Sequence, residues 1–429
     1  MKSNIIPDAG AATRDLGRAG PLAGIARRVL LGTLARLQAG ELTLVDGDEV
    51  WRFGQRDAAC PLSATITVLN PRFYALTAFS GTPGVGESYI RNDWHCDNLT
   101  ALIRIVLCNP ALTEHVDSGL ARVTQPLLRL FHWLQSNTRR GSARNISAHY
   151  DLGNDFYALM LDETMAYSCG IFTRPDSTLA DASRAKFEAA CRKLDLQPDD
   201  HLLEIGSGWG GLAIHAAQHH GCRVTTTTIS REQFNFAVER VRQLGLDHRV
   251  EVLLQDYRDL KGQYDKLVSI EMIEAVGAGF LDTYLRKCAT LLKDRGAMLL
   301  QAITLQDQFY ERALRTVDFI QRFVFPGSFI PSINAISSSL RRVTDLKVFH
   351  LEDIGPHYSR TLALWRENFH ARLADVRRLG FQDSFVRLWD FYLSYCEAGF
   401  EERRLGDVQM LLTKPRYRGP AGGLACAAG

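Results

Sequence analysis

The sequence predicts an α/β protein in which a doubly wound, mostly parallel, Rossmann-like sheet follows a small α+β N-terminal domain. Three observations support this prediction. Short runs rich in Val, Ile and Leu alternate with helical stretches beyond residue 200, as in a parallel sheet covered by helices. The first of these runs enters a glycine-rich turn at 206–211. Near the N-terminus, by contrast, alternating residues surround Asp46-Gly47, which is a hairpin signature.

Length and composition indicate a globular protein of two domains. The chain has 429 residues, of which 46% are hydrophobic and 23% charged, more than a single ordinary core accommodates. Because the net charge is only +2, we expect no nucleic-acid partner. The net charge alone does not exclude a local basic patch. Nine Cys without a C-x-x-C pair argue against a zinc ribbon or disulfide scaffold and predict a reducing compartment.

The relation to membranes is predicted to be peripheral. No apolar run reaches the roughly 18–20 residues of a membrane-spanning helix, and the first 20 residues lack a secretory core. We therefore expect a cytoplasmic protein. Residues 22–37 have the spacing of a basic amphipathic helix, which either lies on an anionic membrane or covers its own domain. The pattern alone favours the second alternative.

The N-terminal region is predicted to be a small α+β domain over 21–134, preceded by a flexible tail, 1–20. Its expected strands and helices are 42–44, 50–53, 64–68, 101–107 and 120–134. A polar linker, 135–148, then leads to a second domain, 149–418, and a second flexible tail, 419–429.

The second domain is predicted to contain six strands. They are Leu202–Ile205, Val224–Ile229, Val250–Leu254, Lys266–Ile270, Ala297–Ala302 and Val408–Leu412. A long helical insert is expected at about 305–402, before the last strand.

The glycine-rich turn is the first functional feature. Gly206, Gly208 and Gly211 match G-x-G-x-x-G after an apolar strand, a pattern that NAD enzymes share. Two details favour S-adenosylmethionine: Glu204 stands two residues before the first glycine, and the next strand ends at Thr228 without the acid that grips an NAD ribose. Asp256, after a later strand, is suited to the adenine amino group.

Two further motifs make the sequence resemble the cyclopropane-fatty-acyl-phospholipid synthase family, which includes the mycolic-acid cyclopropane synthases. The motifs are residues 149–157, HYDLGNDFY, and residues 165–170, MAYSCG. Together with the glycine turn, the resemblance runs from His149 to about Pro415. Residues 84–89, GVGESY, resemble a motif of the longer bacterial members.

The resemblance implies a class I S-adenosylmethionine methyltransferase fold with a helical lid over an acyl tunnel. It also implies that S-adenosylmethionine donates a one-carbon unit to the double bond of an unsaturated phospholipid acyl chain at the membrane surface, giving a cyclopropane fatty acid. Homodimerisation and a lipid-binding role for the N-terminal domain, 21–134, are further family expectations. The cofactor-binding residues implied are Tyr167, Ser168, Glu204, Gly206, Gly208, Thr228, Gln233, Asp256 and Tyr257.

The resemblance further implies a bound bicarbonate that deprotonates a carbocation. Its expected contacts are Cys169, Glu274, the backbone of Ile303, Tyr358 and Gln301. Gln301 departs from the family pattern, because well-known members carry His there, and Ala275 replaces another His. An amide can donate to the anion but cannot titrate. A different fate of the cation, giving a methyl- or methylene-branched lipid, therefore stays open, as does a non-catalytic lipid-binding relative or a methyltransferase for a small soluble acceptor.

The remaining candidates have alternative interpretations. The aromatic stretch 319–332 lines an acyl channel or forms an ordinary core. Arg322 and the Arg139-Arg140 pair meet lipid phosphates or are solvated surface charges. Three histidines near the helix after the glycine turn are interpreted as structural, and we expect no metal. They are His215, His219 and His220.

Overall fold

The computed structural model describes residues 21–110, 112 and 152–419. Both predicted tails (apart from Gly419), the linker with Arg139-Arg140, the helix expected at 120–134 and the start of the HYDLGNDFY motif lie outside the described residues. The chain divides into two compact units. The first unit comprises 1–134, 315–326 and 365–404, and the second comprises 135–314, 327–364 and 405–429.

The first unit contains a four-stranded sheet in the order β2-β1-β3-β4. The predicted hairpin is confirmed, since β1 and β2 pair antiparallel around Asp46-Gly47. Strand β1 also pairs parallel with β3. The strands are β1 (Gly40–Asp46), β2 (Glu49–Gln55), β3 (Ser63–Val68) and β4 (Trp94–Cys96). The helices before residue 110 are α1 (Pro21–Leu34), α2 (Arg72–Ile90) and α3 (Leu99–Cys108).

The GVGESY motif lies in the second half of α2 and packs against later parts of the same unit. A side chain on Gly86 would collide with the ring of Phe319, and Glu87 pairs with Arg322 at 2.7 Å. The hydroxyl of Tyr89 donates to Asp390 at 2.8 Å. The motif therefore has a packing role, and Arg322, which was expected to be solvated or to meet phosphate, is paired with an acid.

The second unit contains a seven-stranded sheet in the order β10-β11-β9-β8-β5-β6-β7. From β9 to β7 neighbouring strands are parallel, whereas β11 and β10 add antiparallel edge pairings. All six predicted strands are confirmed. The strands are β5 (His201–Ile205), β6 (Arg223–Thr228), β7 (Val250–Leu254), β8 (Tyr264–Ile270), β9 (Leu292–Leu305), β10 (Lys347–Asp353) and β11 (Leu405–Thr413).

Helices connect the parallel strands, as such a sheet requires, and further helices precede β5 or lie between β9 and β11. In chain order after α3 they are α4 (Asn154–Ala158), α5 (Leu179–Leu194), α6 (Gly211–His219), α7 (Arg231–Gln243), α8 (Leu281–Leu291), α9 (Asp307–Ala313), α10 (Phe319–Phe323), α11 (Ile333–Val343), α12 (Pro356–Ala371), α13 (Leu373–Arg378) and α14 (Asp383–Glu401).

The core of the second unit lies on both faces of its sheet. Adjacent residues of one strand enter different hydrophobic clusters: Leu203 and Leu300 pack in one, Leu202 and Leu299 in the other. This alternation follows from the period of two in a strand. Because hydrophobic clusters cover both faces, the strands of the sheet are held in place and so is its carboxyl edge. The functional residues lie along that edge.

The expectation of a wholly helical stretch at about 305–402 is wrong, because β10 lies within it. Its residues are mostly exposed, and it pairs only with β11 at the sheet edge. An edge strand of this kind lacks the continuous apolar run that identifies buried strands. Residues 315–326 and 365–404 of this stretch group with the N-terminal residues. Among the described residues, no helix combines the length and apolar content needed to cross a bilayer.

Candidate active site

The glycine turn joins β5 to α6 at the carboxyl edge of the sheet. The backbone N–H groups of Gly206 and Ser207 donate to the carbonyl of Thr227 at 3.0 and 2.9 Å, which fixes the turn against the end of β6. Gly206 and Gly208 have φ values of 99° and 49°, which glycine adopts without steric cost. No atom lies within 4 Å of a Cβ built on Gly208, so the backbone has open space on this side for a ligand.

The residues expected near the ribose and adenine follow β6 and β7. The Thr228 hydroxyl donates to Gln233 at 2.8 Å, and both side chains are buried. Asp256 accepts two hydrogen bonds from the guanidinium of Arg258, at 2.9 and 2.7 Å. Tyr257 packs edge-on against Tyr284. Thr228 and Gln233 are thus brought together, while the carboxylate of Asp256 already has an ionic partner.

Glu204 lies beneath the glycine turn and is buried. Its carboxylate accepts from Thr226 at 2.5 Å. Burial raises the pKa of Glu204 to about 8, against the opposing effects of Thr226 and the nearby ammonium of Lys186. Glu204, which was predicted from its spacing to Gly206, therefore stabilises the end of β5 from the protein interior.

The MAYSCG segment reaches the same region. The ring of Tyr167 meets Tyr157 edge-on with ring centroids 5.2 Å apart, and Tyr157 packs on Trp209 of the glycine turn at 5.0 Å. Ser168 accepts from Lys186 at 2.5 Å. These contacts place Tyr167 and Ser168 beside the turn, where the methyl donor is expected.

Lys186 was missed by the sequence reasoning. It is fully buried on α5, and burial lowers its pKa, although Glu271 and other acids oppose this. A signal was present, because Lys186 falls at helical spacing after the buried Ala182 and Ser183. A lysine on the apolar face of an amphipathic helix indicates an acidic partner nearby.

A second group of polar residues lies after β8 and on β9 and β11; we call Glu271, Glu274, Asp407 and Gln301 the carboxylate cluster. The side-chain amide of Gln301 donates to Glu271 at 2.8 Å and to Asp407 at 2.9 Å. Its oxygen accepts from Gln409 at 3.0 Å. Since Gln301 and Gln409 are directly opposite in the antiparallel pair of β9 and β11, strand register sets this network.

Glu274 and Ile303 meet as expected. The carboxylate of Glu274 accepts from the Ile303 N–H at 2.6 Å. Its second oxygen is buried and has no hydrogen-bond partner in the described part of the chain. Burial, followed by the charge of Glu271, raises the pKa of Glu274 to about 8.

Cys169 and Tyr358 converge on Glu271. The Cys169 N–H donates to one oxygen of this carboxylate at 2.8 Å, and the Tyr358 hydroxyl donates to the other at 2.5 Å. Burial raises the pKa of the Cys169 thiol well above its usual range, so the sulfur is a neutral thiol. The expected bicarbonate ligands are therefore assembled, but around a protein carboxylate that the sequence reasoning did not select.

The residues present do not fit an additional bicarbonate. The Cys169 N–H, the Tyr358 hydroxyl and the Gln301 amide donate to Glu271. The other donation of the amide goes to Asp407. A bicarbonate at this place would also adjoin three carboxyl groups. Sequence reasoning missed this because Glu271 has no spacing motif; its only signal is an acid directly after a buried parallel strand.

The histidines after the glycine turn form a polar group away from this cluster. Nε2 of His215 and of His220 lies 3.1 Å from Glu188. The possible ligand atoms of Cys191, His215 and His220 lie within 4.8 Å of one another. Glu188 is a hydrogen-bond partner of both imidazoles, and the structural interpretation of these histidines stays a prediction.

Known proteins resemble the chain over most of its length. Residues 137–410 match the family described as mycolic acid cyclopropane synthetase. A tuberculostearic acid methyltransferase of Mycobacterium tuberculosis is 36% identical over 418 residues, which cover 92% of this chain and 93% of that protein. A cyclopropane-fatty-acyl-phospholipid synthase of Escherichia coli is 36% identical over 350 residues, which cover 81% of this chain and 86% of that protein.

A solved structure resembles the chain as well. The crystal structure of a mycolic acid cyclopropane synthase complexed with SAH and CTAB superimposes with a TM-score of 0.60 and 31% sequence identity. It covers 63% of this chain and 98% of that chain.

Proposed function

Since the chain belongs to the mycolic acid cyclopropane synthetase family, we propose that it transfers a one-carbon unit from S-adenosylmethionine to the cis double bond of an unsaturated phospholipid acyl chain. The recognised resemblance is confirmed, and the protein is an S-adenosylmethionine-dependent methyltransferase with the class I fold. The acceptor, the product and the membrane contact belong to the proposal.

The observation that carries the proposal is the placement of two different polar sites along one sheet edge. The glycine turn after β5, with Tyr167 and Ser168 beside it, suits the methyl donor. The carboxylate cluster lies after the neighbouring strand β8 and on the strands β9 and β11. A simple methyl transfer to an oxygen or nitrogen needs no group of three neighbouring acids, whereas a carbocation on an acyl chain requires a base beside it.

The methyl donor and the residues of the protein contribute different parts of the chemistry. S-adenosylmethionine supplies an electrophilic methyl group, and an alkene is a weak nucleophile. The residues of this chain hold the two partners in line, which contributes effective molarities of ~10⁵ M or more. They also exclude water, since water would hydrate the cation. Burial of the acyl chain contributes about 0.8 kcal/mol per CH₂, which offsets its removal from a bilayer.

A methyl- or methylene-branched lipid is the second candidate product. The relative that matches 92% of this chain is named as a methyltransferase, whereas the cyclopropane synthase matches 81% at the same identity. Both products begin with the same methyl transfer and differ in how the cation is resolved. We place cyclopropane formation first because the matched family is named for it.

The test uses the full chain, S-adenosylmethionine with a labelled methyl group, and phospholipid vesicles. We expect label in the lipid extract of vesicles with cis-unsaturated chains and none with saturated chains. Mass spectrometry of the released acyl chains should show a gain of one CH₂, and fragmentation separates a ring from a branch. Label found only in water-soluble products, or equally in saturated lipid, contradicts the proposal.

Vesicle sedimentation tests the peripheral membrane contact that the proposal includes. We expect the protein to pellet with vesicles that contain anionic phospholipid and to release at high salt, because basic surface residues are screened. Retention in the supernatant under all lipid compositions would contradict this part alone.

A further inference from the structure

Glu271 occupies the position that three hydrogen-bond donors enclose. One oxygen accepts from the Cys169 N–H and the Gln301 amide, each at 2.8 Å, and the other accepts from the Tyr358 hydroxyl at 2.5 Å. The donors come from three distant parts of the chain. Charge-assisted hydrogen bonds of this kind fix the orientation of a carboxylate strongly.

The backbone of Glu271 is held in an unfavourable conformation. Its φ is 47°, in the left-handed region that costs a residue with a side chain roughly 1–2 kcal/mol. The Glu271 N–H donates to the carbonyl of Gln301 at 2.9 Å, which extends the pairing of β8 with β9 by one residue. Strain of this kind persists where the surroundings over-determine a conformation, and it is concentrated at functional sites.

The neighbours of Glu271 favour its ionised form over theirs. Burial raises the pKa of Glu271 as well, but the Tyr358 hydroxyl, the buried ammonium of Lys186 and the Cys169 N–H all act in the opposite direction. Burial raises the pKa of Asp407 well above its usual range, and the charges of Glu271 and Glu274 add to this. Glu274 is also shifted upward. Glu271, which accepts three hydrogen bonds and lies near the ammonium of Lys186, is therefore the member of the carboxylate cluster that is best placed to carry the negative charge.

Glu271 is also more exposed to solvent than the other members of the carboxylate cluster. Gln301 and Asp407 are fully buried and Glu274 is 9% exposed, while Glu271 keeps intermediate exposure. Because Glu271 follows β8, which pairs with β5, it lies beside the strand that carries the glycine turn. A side chain on Gly206 would approach Met272, the residue next to Glu271, to 3.1 Å. The charged carboxylate is thus adjacent to the site of the methyl donor.

We propose that the carboxylate of Glu271 is the general base of this enzyme and takes the place of a bound bicarbonate. This inference rests on the proposed function. After methyl transfer, a carbon of the former double bond carries the positive charge. The C–H electron pair of the new methyl group closes the ring, and the released proton passes to an oxygen of Glu271, which becomes a neutral carboxylic acid.

The same base serves the branched product. Loss of a proton from the chain carbon next to the cation leaves its C–H electron pair as a new double bond beside the methyl branch. The proton again goes to Glu271, and no oxidant or reductant is needed. Glu271 returns to its ionised form by losing the proton to solvent, which its partial exposure permits.

The experiment measures labelled lipid formation in buffer depleted of carbon dioxide. We expect the rate of the wild-type protein to be unchanged by added bicarbonate. Glu271→Gln keeps the shape of the side chain but removes the base, so kcat should fall about 10²–10⁴-fold. Binding of S-adenosylmethionine, measured by calorimetry, should stay within a few-fold of wild type. Glu367→Gln, a change of an exposed acid on α12, is the matched control and should leave the rate unchanged.

Glu271→Gly provides a second variant that relieves the positive φ and leaves the three donors for an added anion. We expect its slow rate to rise with added bicarbonate or formate. A wild-type rate that depends on bicarbonate, a Glu271→Gln variant within ten-fold of wild type, or a folded glycine variant that neither anion accelerates would each overturn the proposal. If the wild-type protein labels no lipid at all, the proposed function fails instead.

Discussion

The glycine turn after β5 is made of consecutive residues, 206–211, whereas the carboxylate cluster draws its members and their donors from five distant segments around 169, 271–274, 301, 358 and 407. The turn needs backbone freedom, and glycine supplies it locally. The cluster needs a particular protonation pattern, which depends on burial and on charges across several strands. This difference shows that a short run of consecutive residues is enough to form the donor site, whereas the base site forms only when distant segments meet in the folded sheet.

Lys186 interacts with both the glycine turn and the carboxylate cluster, so we expect its substitution to have the largest effect. Its ammonium donates to Ser168 beside the turn and acts on the charge of Glu271 in the cluster. We expect Lys186→Met to lower the free energy of unfolding by about 3–5 kcal/mol, because it leaves a buried charge without compensation. Urea denaturation measures this loss.

The same variant should displace the pH dependence of turnover. A positive charge favours ionised Glu271, so its loss raises the pKa of that carboxyl group and moves the acidic limb of the kcat profile to higher pH. Lys193→Met is the control, because this buried lysine is paired with Glu352 and Gln409. An equal displacement by both variants would contradict a specific role for Lys186.

Each region contains one buried acid whose pKa is raised to about 8, Glu204 below the turn and Glu274 in the cluster. Between the usual 4.5 and about 8, the folded state of each acid binds more protons than the unfolded state, so wild-type stability falls as pH rises. Glu204→Gln and Glu274→Gln do not titrate. Relative to wild type, each should therefore gain stability on the order of a few kcal/mol between pH 5 and pH 8.

The two glutamine variants should separate in function. We expect Glu274→Gln to lower kcat less than Glu271→Gln does and to leave donor binding intact, because Glu274 neighbours the base and is not itself the base. Glu204→Gln should weaken donor binding, because this carboxyl group supports the strand that enters the glycine turn. Denaturation midpoints at pH 5 and pH 8 measure the stability of each variant, and calorimetry measures its affinity for the donor. A Glu274→Gln variant that loses donor affinity, or a stability difference that does not change with pH, would remove the distinction between the regions.

The sequence predicts the strands, the glycine turn and the hairpin because each depends on neighbouring residues and on a short period. It also identifies Cys169, Glu274 and Tyr358 through the family resemblance, and the structure brings them to one place. It does not reveal that Gln301 donates to two acids, because that contact requires the register of β9 against β11. Nor does it reveal Glu271, whose importance depends on donors from three other segments.

The smallest expected effect concerns the turn itself. Gly208 has a φ of 49°, and a Cβ built on it meets nothing within 4 Å. An alanine there fits the apo protein apart from roughly 1–2 kcal/mol of backbone strain, but its methyl group enters the space expected for the donor. We expect Gly208→Ala to weaken S-adenosylmethionine binding about ten-fold, measured by calorimetry.

Gly245 offers a control in which the same backbone strain occurs elsewhere. It has a φ of 66°, also with nothing within 4 Å of a built Cβ, and it lies after α7 rather than in the turn. Gly245→Ala should therefore lower the melting temperature as much as Gly208→Ala while leaving donor affinity unchanged. If both variants lose affinity equally, the effect comes from strain. The glycine turn would then be a packing device, and the donor site would depend, like the carboxylate cluster, on the folded sheet as a whole.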